Sequence, residues 1–337
     1  MTVLRMAATR LLSAAPQLFG VVLVSFFLLK LIPGDPAPMM LGPLATTEAV
    51  EKLRAEMGLD QPLPIQFGRY VERLAHGDLG RSWQTTNPVS KDLRERLPAT
   101  LELVVLGLAL AIAIGLPLGL AAGRAPFGRA ASAADLYSFG AGAMPDFWIA
   151  LMLIYLFYAT LGWAPAPLGR LDIAMLPPER CTGSFLVDAL LAGDIETARA
   201  AASQLVLPVL TLGLVTAIPI LKITRSAVEQ LNASDFVRFA AAKGLPAWRI
   251  SRHVLRAALP QIVPALGPLA SALIGGTVLI EVVFAWGGAG QYAVSAVLNA
   301  DINAALGFVL AAAALSLVIH LLVDLLSLGI DPRIRTA

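Results

Sequence analysis

The sequence is poor in almost everything that chemistry in water uses. It holds one cysteine, Cys181, and three histidines among 337 residues. A lone thiol cannot close an intrachain disulfide or build a thiolate metal site. Dispersed histidines supply no cluster of metal ligands. Charged residues are 14% of the chain and the net charge is only +2, where soluble domains carry about 25% charge. That excludes disorder, which needs high charge and low hydrophobicity, and it leaves no basic excess for nucleic acid. No Gly-Lys pair occurs anywhere, so the phosphate-cradling loop of an ATPase is absent. There is no G-x-S-x-G nucleophile turn either. The chain is therefore expected to have no catalytic residues, metal or cofactor of its own. What is abundant is apolar: 57% of residues are hydrophobic and the mean hydropathy is +0.75.

A membrane-spanning helix needs about 20 mostly apolar residues. Six segments qualify as candidates: Leu11–Ile32, Ala99–Ala122, Leu136–Leu161, Leu205–Leu221, Leu259–Ala285 and Ala305–Ile330. The fourth is short and holds Pro208 and Pro219, and the fifth holds Pro260, Pro264 and Pro268. Proline is tolerated where neighbouring helices satisfy the freed carbonyls, which predicts a packed, all-α, polytopic membrane protein with six transmembrane helices. The first segment is longer than the roughly 7–15 apolar residues of a cleavable signal and is read as a retained helix. The chain divides into 1–32, an outer segment 33–97, and a five-helix core 98–337 with a polar loop at 222–259.

Basic residues in short loops set orientation. The 222–259 loop carries Lys222, Arg225, Arg238, Lys243, Arg249, Arg252 and Arg256 against Glu229 and Asp235. Arg124, Arg129, Arg333, Arg335, Arg5 and Arg10 fall on the same side. Both termini are expected in the cytoplasm, with 33–97 and 162–204 outside.

The outer segment is patterned. Thr47 reads as the N-cap of a helix through Met57, with Gly58 past its stop. Pro64 suits the first turn of a second helix, where Phe67, Tyr70, Val71 and Leu74 form one apolar stripe before His76-Gly77-Asp78. This segment is either a lid over helix ends or a docking surface for a partner outside the membrane.

The polar loop is the most informative stretch. Ser234 reads as an N-cap and Asp235 sits where the helix dipole favours an acid. Gly244 suits the left-handed residue just past a helix. Between them lies a helix of about ten residues, too short to stand alone in water. Phe236, Phe239 and Ala240 share one face, fitted to a groove on another protein or to the chain's own core. Pro246 opens the next helix, whose Arg249, Arg252 and Arg256 share a face suited to lipid headgroups.

This loop, with Ala240-Ala-Ala-Lys-Gly-Leu245 at its centre, resembles the cytoplasmic "EAA" loop of binding-protein-dependent ABC importer permeases. The nearer match is the first (B-type) permease subunit of the dipeptide/oligopeptide/nickel class. Further motifs carry the likeness along nearly the whole chain: Leu31-Ile-Pro-Gly-Asp-Pro36, Leu59-Asp-Gln-Pro62, His76-Gly-Asp-Leu-Gly-Arg-Ser82, Arg96-Leu-Pro-Ala-Thr-Leu-Glu102, Glu281-Val-Val-Phe-Ala-Trp286 and Asp331-Pro-Arg-Ile-Arg335. The loop departs from the general family pattern in holding Arg238 in place of the acid and Phe239 in place of the alanine. Trp286-Gly287-Gly288 replaces the family's Trp-Pro-Gly, which implies a looser turn. The resemblance implies a type I importer fold in a bacterial or archaeal cytoplasmic membrane. It implies half of a pore completed by a second homologous permease. Two ATPase subunits would bind ATP and magnesium, and an extracytoplasmic binding protein would deliver peptide or a related small solute. The ATPase-coupling helix would comprise Ser234, Asp235, Phe236, Arg238, Phe239, Ala240, Ala241, Ala242, Lys243 and Gly244.

Three features lie within the predicted spans. Glu281 is an intramembrane acid, read either as a contact to substrate or a sister subunit, or as an outer-interface residue in a belt with Phe284 and Trp286. Gly275 and Gly276 suit close approach to a partner permease across the pore. Gly115, Gly119 and Gly123 repeat at the four-residue spacing of close helix packing. The alternative function is an ion- or proton-coupled carrier acting without an ATPase. Such a carrier needs deep membrane charges or inverted repeats, and has no use for a short docking helix.

Overall fold

The computed structural model describes residues 3–31, 38, 45–56 and 60–330. Within them the chain is helical, with no strand beyond an isolated antiparallel bridge between Arg81 and Pro88. In order the helices are α1 (Val3–Leu31), α2 (Thr47–Glu56), α3 (Leu63–Ala75), α4 (Val89–Arg124), α5 (Arg129–Gly142), α6 (Asp146–Leu153), α7 (Phe185–Leu191), α8 (Ile195–Asn232), α9 (Asp235–Ala242), α10 (Ala247–Val283), α11 (Ala289–Leu298) and α12 (Ile302–Ile330). A π-helical turn, Ile154–Thr160, extends α6.

Among the described residues, four helices are long and apolar enough to cross a membrane: α4, α8, α10 and α12. Two of the six expected transmembrane segments differ in detail from the expectation. The Leu136–Leu161 segment breaks at Ala143–Pro145, so that α5 and the α6 helix with its π turn meet at 97° and make a fifth span only if counted together. The first segment is helical, but its described apolar stretch is the shorter Ala15–Leu28. The expected Leu205–Leu221 span is the middle of a 38-residue helix. Asp194 caps that helix by accepting the Thr197 N–H at 3.0 Å. Likewise α4 begins at Val89, so the last residues of the expected outer segment are its first turns.

Contacts divide the chain into two units. In the larger one (residues 1–8, 97–291 and 315–337) α8 is the central element, packed by α5, α6, α7 and α10. The glycine repeat is a packing stripe. A Cβ at Gly115 would lie 2.6 Å from the Ala217 carbonyl oxygen, one at Gly119 2.7 Å from that of Leu221, and one at Gly123 2.8 Å from that of Arg225. Hydrogen at these positions lets α4 and α8 meet backbone to backbone. In the 162–204 segment, Arg170 lies over the Phe185 ring at 3.7 Å and pairs with Glu102 of α4 at 3.2 Å. Asp188 accepts from the Thr182 hydroxyl at 2.7 Å and the Gly183 N–H at 2.9 Å.

In the smaller unit (residues 9–96 and 292–314) the apolar stripe of α3 already has a cover. Phe67 meets Phe26 of α1 edge-on and Tyr70 meets it at a tilt, with ring centroids 5.2 and 5.8 Å apart. The first N-cap is one residue earlier than expected: Thr46, not Thr47, accepts the Ala49 N–H. The stop at Gly77 forms as expected, with φ of +74°. Two buried carboxylates then fix the loop that carries His76-Gly-Asp-Leu-Gly-Arg-Ser82. Asp301 accepts from the Ser82 hydroxyl and the Trp83 and Gln84 N–H groups. Asp92 accepts from Thr85, Asn87 and the Tyr292 hydroxyl. Residues 32–36, the expected stop at Gly58 and the 331–335 tail lie outside the described residues.

Candidate functional site

The short helix α9 forms where the sequence places it, joined to α8 through Ala233 and Ser234. Asn232, the last residue of α8, anchors that end by donating to the Gly123 carbonyl at 3.0 Å. Ser234 holds the N-cap position with extended dihedrals, but its hydroxyl turns back and donates to the Leu231 carbonyl. Expected to cap α9, it instead ties down the end of α8. Asp235 supplies the negative charge in the first turn and faces Arg238 at 3.4 Å. Both side chains are largely exposed, so this pair contributes little stability.

The far end closes as expected. Gly244 has φ of +74°, the Gly244 N–H donates to Ala241 and the Leu245 N–H donates to Ala240. These bonds satisfy the last carbonyls of the helix. A Cβ at Gly244 would meet nothing within 4 Å, so the backbone dihedral, not space, requires glycine here.

None of the α9 residues is buried. Phe236 is 42% exposed and Phe239 62% exposed. The helix rests on α8 and α10, yet this contact leaves both rings in the open. Lys243 places its ammonium 4.4 Å from the Phe239 ring centre. Ala240 is half-buried, while Ala241, Ala242 and Lys243 are exposed. The predicted residues are thus gathered on one small projecting helix with an aromatic face.

The other three predicted residues lie elsewhere. Glu281 is fully buried, and neither reading of it as a surface residue describes its position. Its carboxylate accepts from the Thr100 hydroxyl at 2.6 Å and from the Gln291 N–H at 2.8 Å. A Cβ at Gly288 would lie 2.6 Å from that carboxylate, so glycine there admits it. Phe284 and Trp286 are equally buried, and Trp286 donates to the Ala99 carbonyl at 3.1 Å. They form no interface belt. The turn expected to be loose is pinned by the Glu281 and Thr100 side chains, with Thr100 accepting the Ala289 N–H at 2.9 Å. Gly275 is exposed, nothing within the chain lies within 4 Å of its Cβ position, and Gly276 approaches only Asp146 at 3.9 Å. Their closeness is not used inside this chain. Sequence reasoning missed the structural acids Asp92, Asp188 and Asp301. Asp92 and Asp301 take partners as remote in sequence as Tyr292 and Ser82, and the partners of Asp188 lie in an irregular loop before its helix, so no periodic pattern marks them.

Residues 115–336 match the model of the binding-protein-dependent transport system inner membrane component, and residues 3–104 match the N-terminal model of the same system's membrane component. The chain belongs to this family. It is 41% identical over 319 residues to the probable D,D-dipeptide transport system permease protein DdpB of Escherichia coli, covering 94% of this chain and 93% of the relative. It is 34% identical to the dipeptide transport system permease protein DppB of Alkalihalophilus pseudofirmus, over 98% of both. It is 36% identical to the di/tripeptide transport system permease protein DppB of Pseudomonas aeruginosa, over 97% of this chain and 98% of the relative. The chain is therefore a multi-pass membrane protein and a permease subunit of an ABC importer.

Proposed function

We propose that this permease conducts short peptides, passing them through a pore formed with a second homologous permease. An extracytoplasmic binding protein delivers the substrate. Two separate ATPase subunits, which hold the ATP and magnesium, drive the cycle. Both termini and the 222–259 region lie in the cytoplasm, as the basic residues there favour. The peptide substrate follows from what the relatives are named for.

The observation that carries the coupling role is the exposure of Phe236 and Phe239 on a helix closed at its far end by left-handed Gly244. A short helix held between two long ones can carry rigid-body motion from a partner into both. The ATPase is the partner, α9 is its ball-in-socket contact, and closure of the ATPase pair moves α8 and α10 together. Gly275, open on the surface of α10, and the half-buried Gly276 beside it suit close approach by the second permease.

The test is affinity capture of the tagged chain from its native membrane, in gentle detergent, with mass spectrometry of what co-purifies. A second permease and P-loop ATPases in stoichiometric amounts are expected. A chain that purifies alone, stays folded and transports after reconstitution without ATP would overturn the proposal.

A further inference from the structure

The first turns of α10 build a basic cleft. Ser251, Val254, Ala258 and Ile262 are the buried face of this part of the helix. Ala258 and Ile262 pack with Ala227 in a small core. The opposite face carries Trp248, Arg249, Arg252, His253 and Arg256, which line a cleft of about 320 Å³. The arginines stand at i, i+3 and i+7, about 4.5 and 10.5 Å apart along the axis.

Among the described residues none of the three arginines has a carboxylate partner. Of the acids on the neighbouring polar segments, Asp135 and Glu229 hold Arg225 and Asp235 faces Arg238. Arg249 only rests over the Trp248 ring, 5.3 Å from its centre. Three like charges inside one screening length repel each other, and an anion with several acceptor oxygens relieves that repulsion. Guanidinium groups match phosphate oxygens in pairs.

We propose that this cleft binds the phosphate of an anionic phospholipid headgroup. Depth favours a lipid over a soluble phosphate. Arg256 is the last basic residue of α10, and the apolar stretch that crosses the membrane begins directly after it. Trp248, 60% exposed, is the residue type that anchors at the headgroup level. The site does not depend on which leaflet it faces, so it stands apart from the orientation and the substrate proposed above.

The experiment is native mass spectrometry of the purified transporter released from nanodiscs of phosphatidylcholine mixed with phosphatidylglycerol. Retained phosphatidylglycerol is counted for the wild type, Arg256→Gln and Arg252→Gln/Arg256→Gln. Arg199→Gln serves as a charge-matched control on α8. Retention is expected to fall roughly five-fold per cleft arginine removed, the effect of ~1 kcal/mol per near-surface basic residue, and to be unchanged in the control. The single variant keeps the test valid if the double variant fails to fold. Equal retention in wild type and Arg256→Gln would overturn the proposal. So would saturable binding of inorganic phosphate that displaces the phosphatidylglycerol, because the site would then serve a soluble anion.

Discussion

Phe239 offers the sharpest test of the coupling helix, because its removal should leave the chain itself intact. The ring is 62% exposed, and alanine is the better helix former. A phenylalanine side chain offers about 200 Å² for burial, so about 120 Å² remains for a partner to cover. At about 25 cal/mol per Å² this is worth ~3 kcal/mol. Loss of the whole contact would weaken ATPase association about 100-fold. The assay reconstitutes the Phe239→Ala transporter in liposomes and titrates purified ATPase subunits, reading both ATP hydrolysis stimulated by loaded binding protein and uptake of labelled peptide. The half-saturating ATPase concentration should rise by one to two orders of magnitude, with membrane insertion and thermal unfolding of the permease unchanged. A Phe239→Glu variant should abolish coupling at any practical concentration, because a carboxylate replaces the ring in the socket. If both variants couple with an affinity within about two-fold of wild type, Phe239 does not enter the ATPase and the role given to α9 fails.

Further expectations follow from other positions. Gly244→Ala should cost about 1–2 kcal/mol at the α9 stop, since φ of +74° is unfavourable for an L side chain. Gly244→Pro should cost more, since it also removes the N–H bonded to Ala241; uptake measured against ATP hydrolysis reads both. Gly119→Ala drives a Cβ to 2.7 Å from the Leu221 carbonyl and should lower the melting temperature in detergent, a loss of about 1–3 kcal/mol. Gly275→Ala should leave the melt of the isolated chain unchanged. Glu281→Ala leaves the Thr100 hydroxyl and Gln291 N–H without their buried acceptor. It should destabilise the chain by about 1–3 kcal/mol per orphaned group, seen as loss of folded yield. The Asp188 carboxyl is pushed up by burial, but the hydrogen bonds it accepts from the Thr182 hydroxyl and from the Thr182, Gly183 and Cys181 backbone outweigh this and hold it below the usual range. Its stabilisation of the 181–191 turn is therefore complete above the ordinary aspartate value and is lost as pH falls through the lowered one. Hydrogen exchange at Thr182 and Gly183 should rise with acid in the wild type and be pH-independent, after correction for intrinsic rates, in Asp188→Asn.

Much of this was legible before the structure. Hydropathy located the apolar centres of α4, α8, α10 and α12, and the glycine and acid signals located α9 nearly to the residue. Helix ends were less legible, because hydropathy reports where lipid is tolerated and not where the helix stops. The polar residues of 195–204 and 222–232 continue α8 beyond its apolar middle on packing and capping. Proline was a poor guide to breaks. Pro98, Pro117, Pro208, Pro219, Pro260, Pro264 and Pro268 all sit inside helices, while Pro145, in an equally apolar run, marks the break. Gly140 and Gly142 precede it and weaken the helix it interrupts. Glu281 was misread for a different reason: its partners, Thr100 above all, are remote in sequence, and only folding shows an acid to be satisfied.

The glycine stripe between α4 and α8 also sets how this protein can deform. Two rods whose backbones touch at three successive turns cannot slide or separate without breaking every contact at once. They behave as one beam. If α9 takes a push from the ATPase as proposed, the end of α8 would pass it along the whole beam. Bending is then expected at the non-helical corner Ala143–Pro145 between α5 and α6.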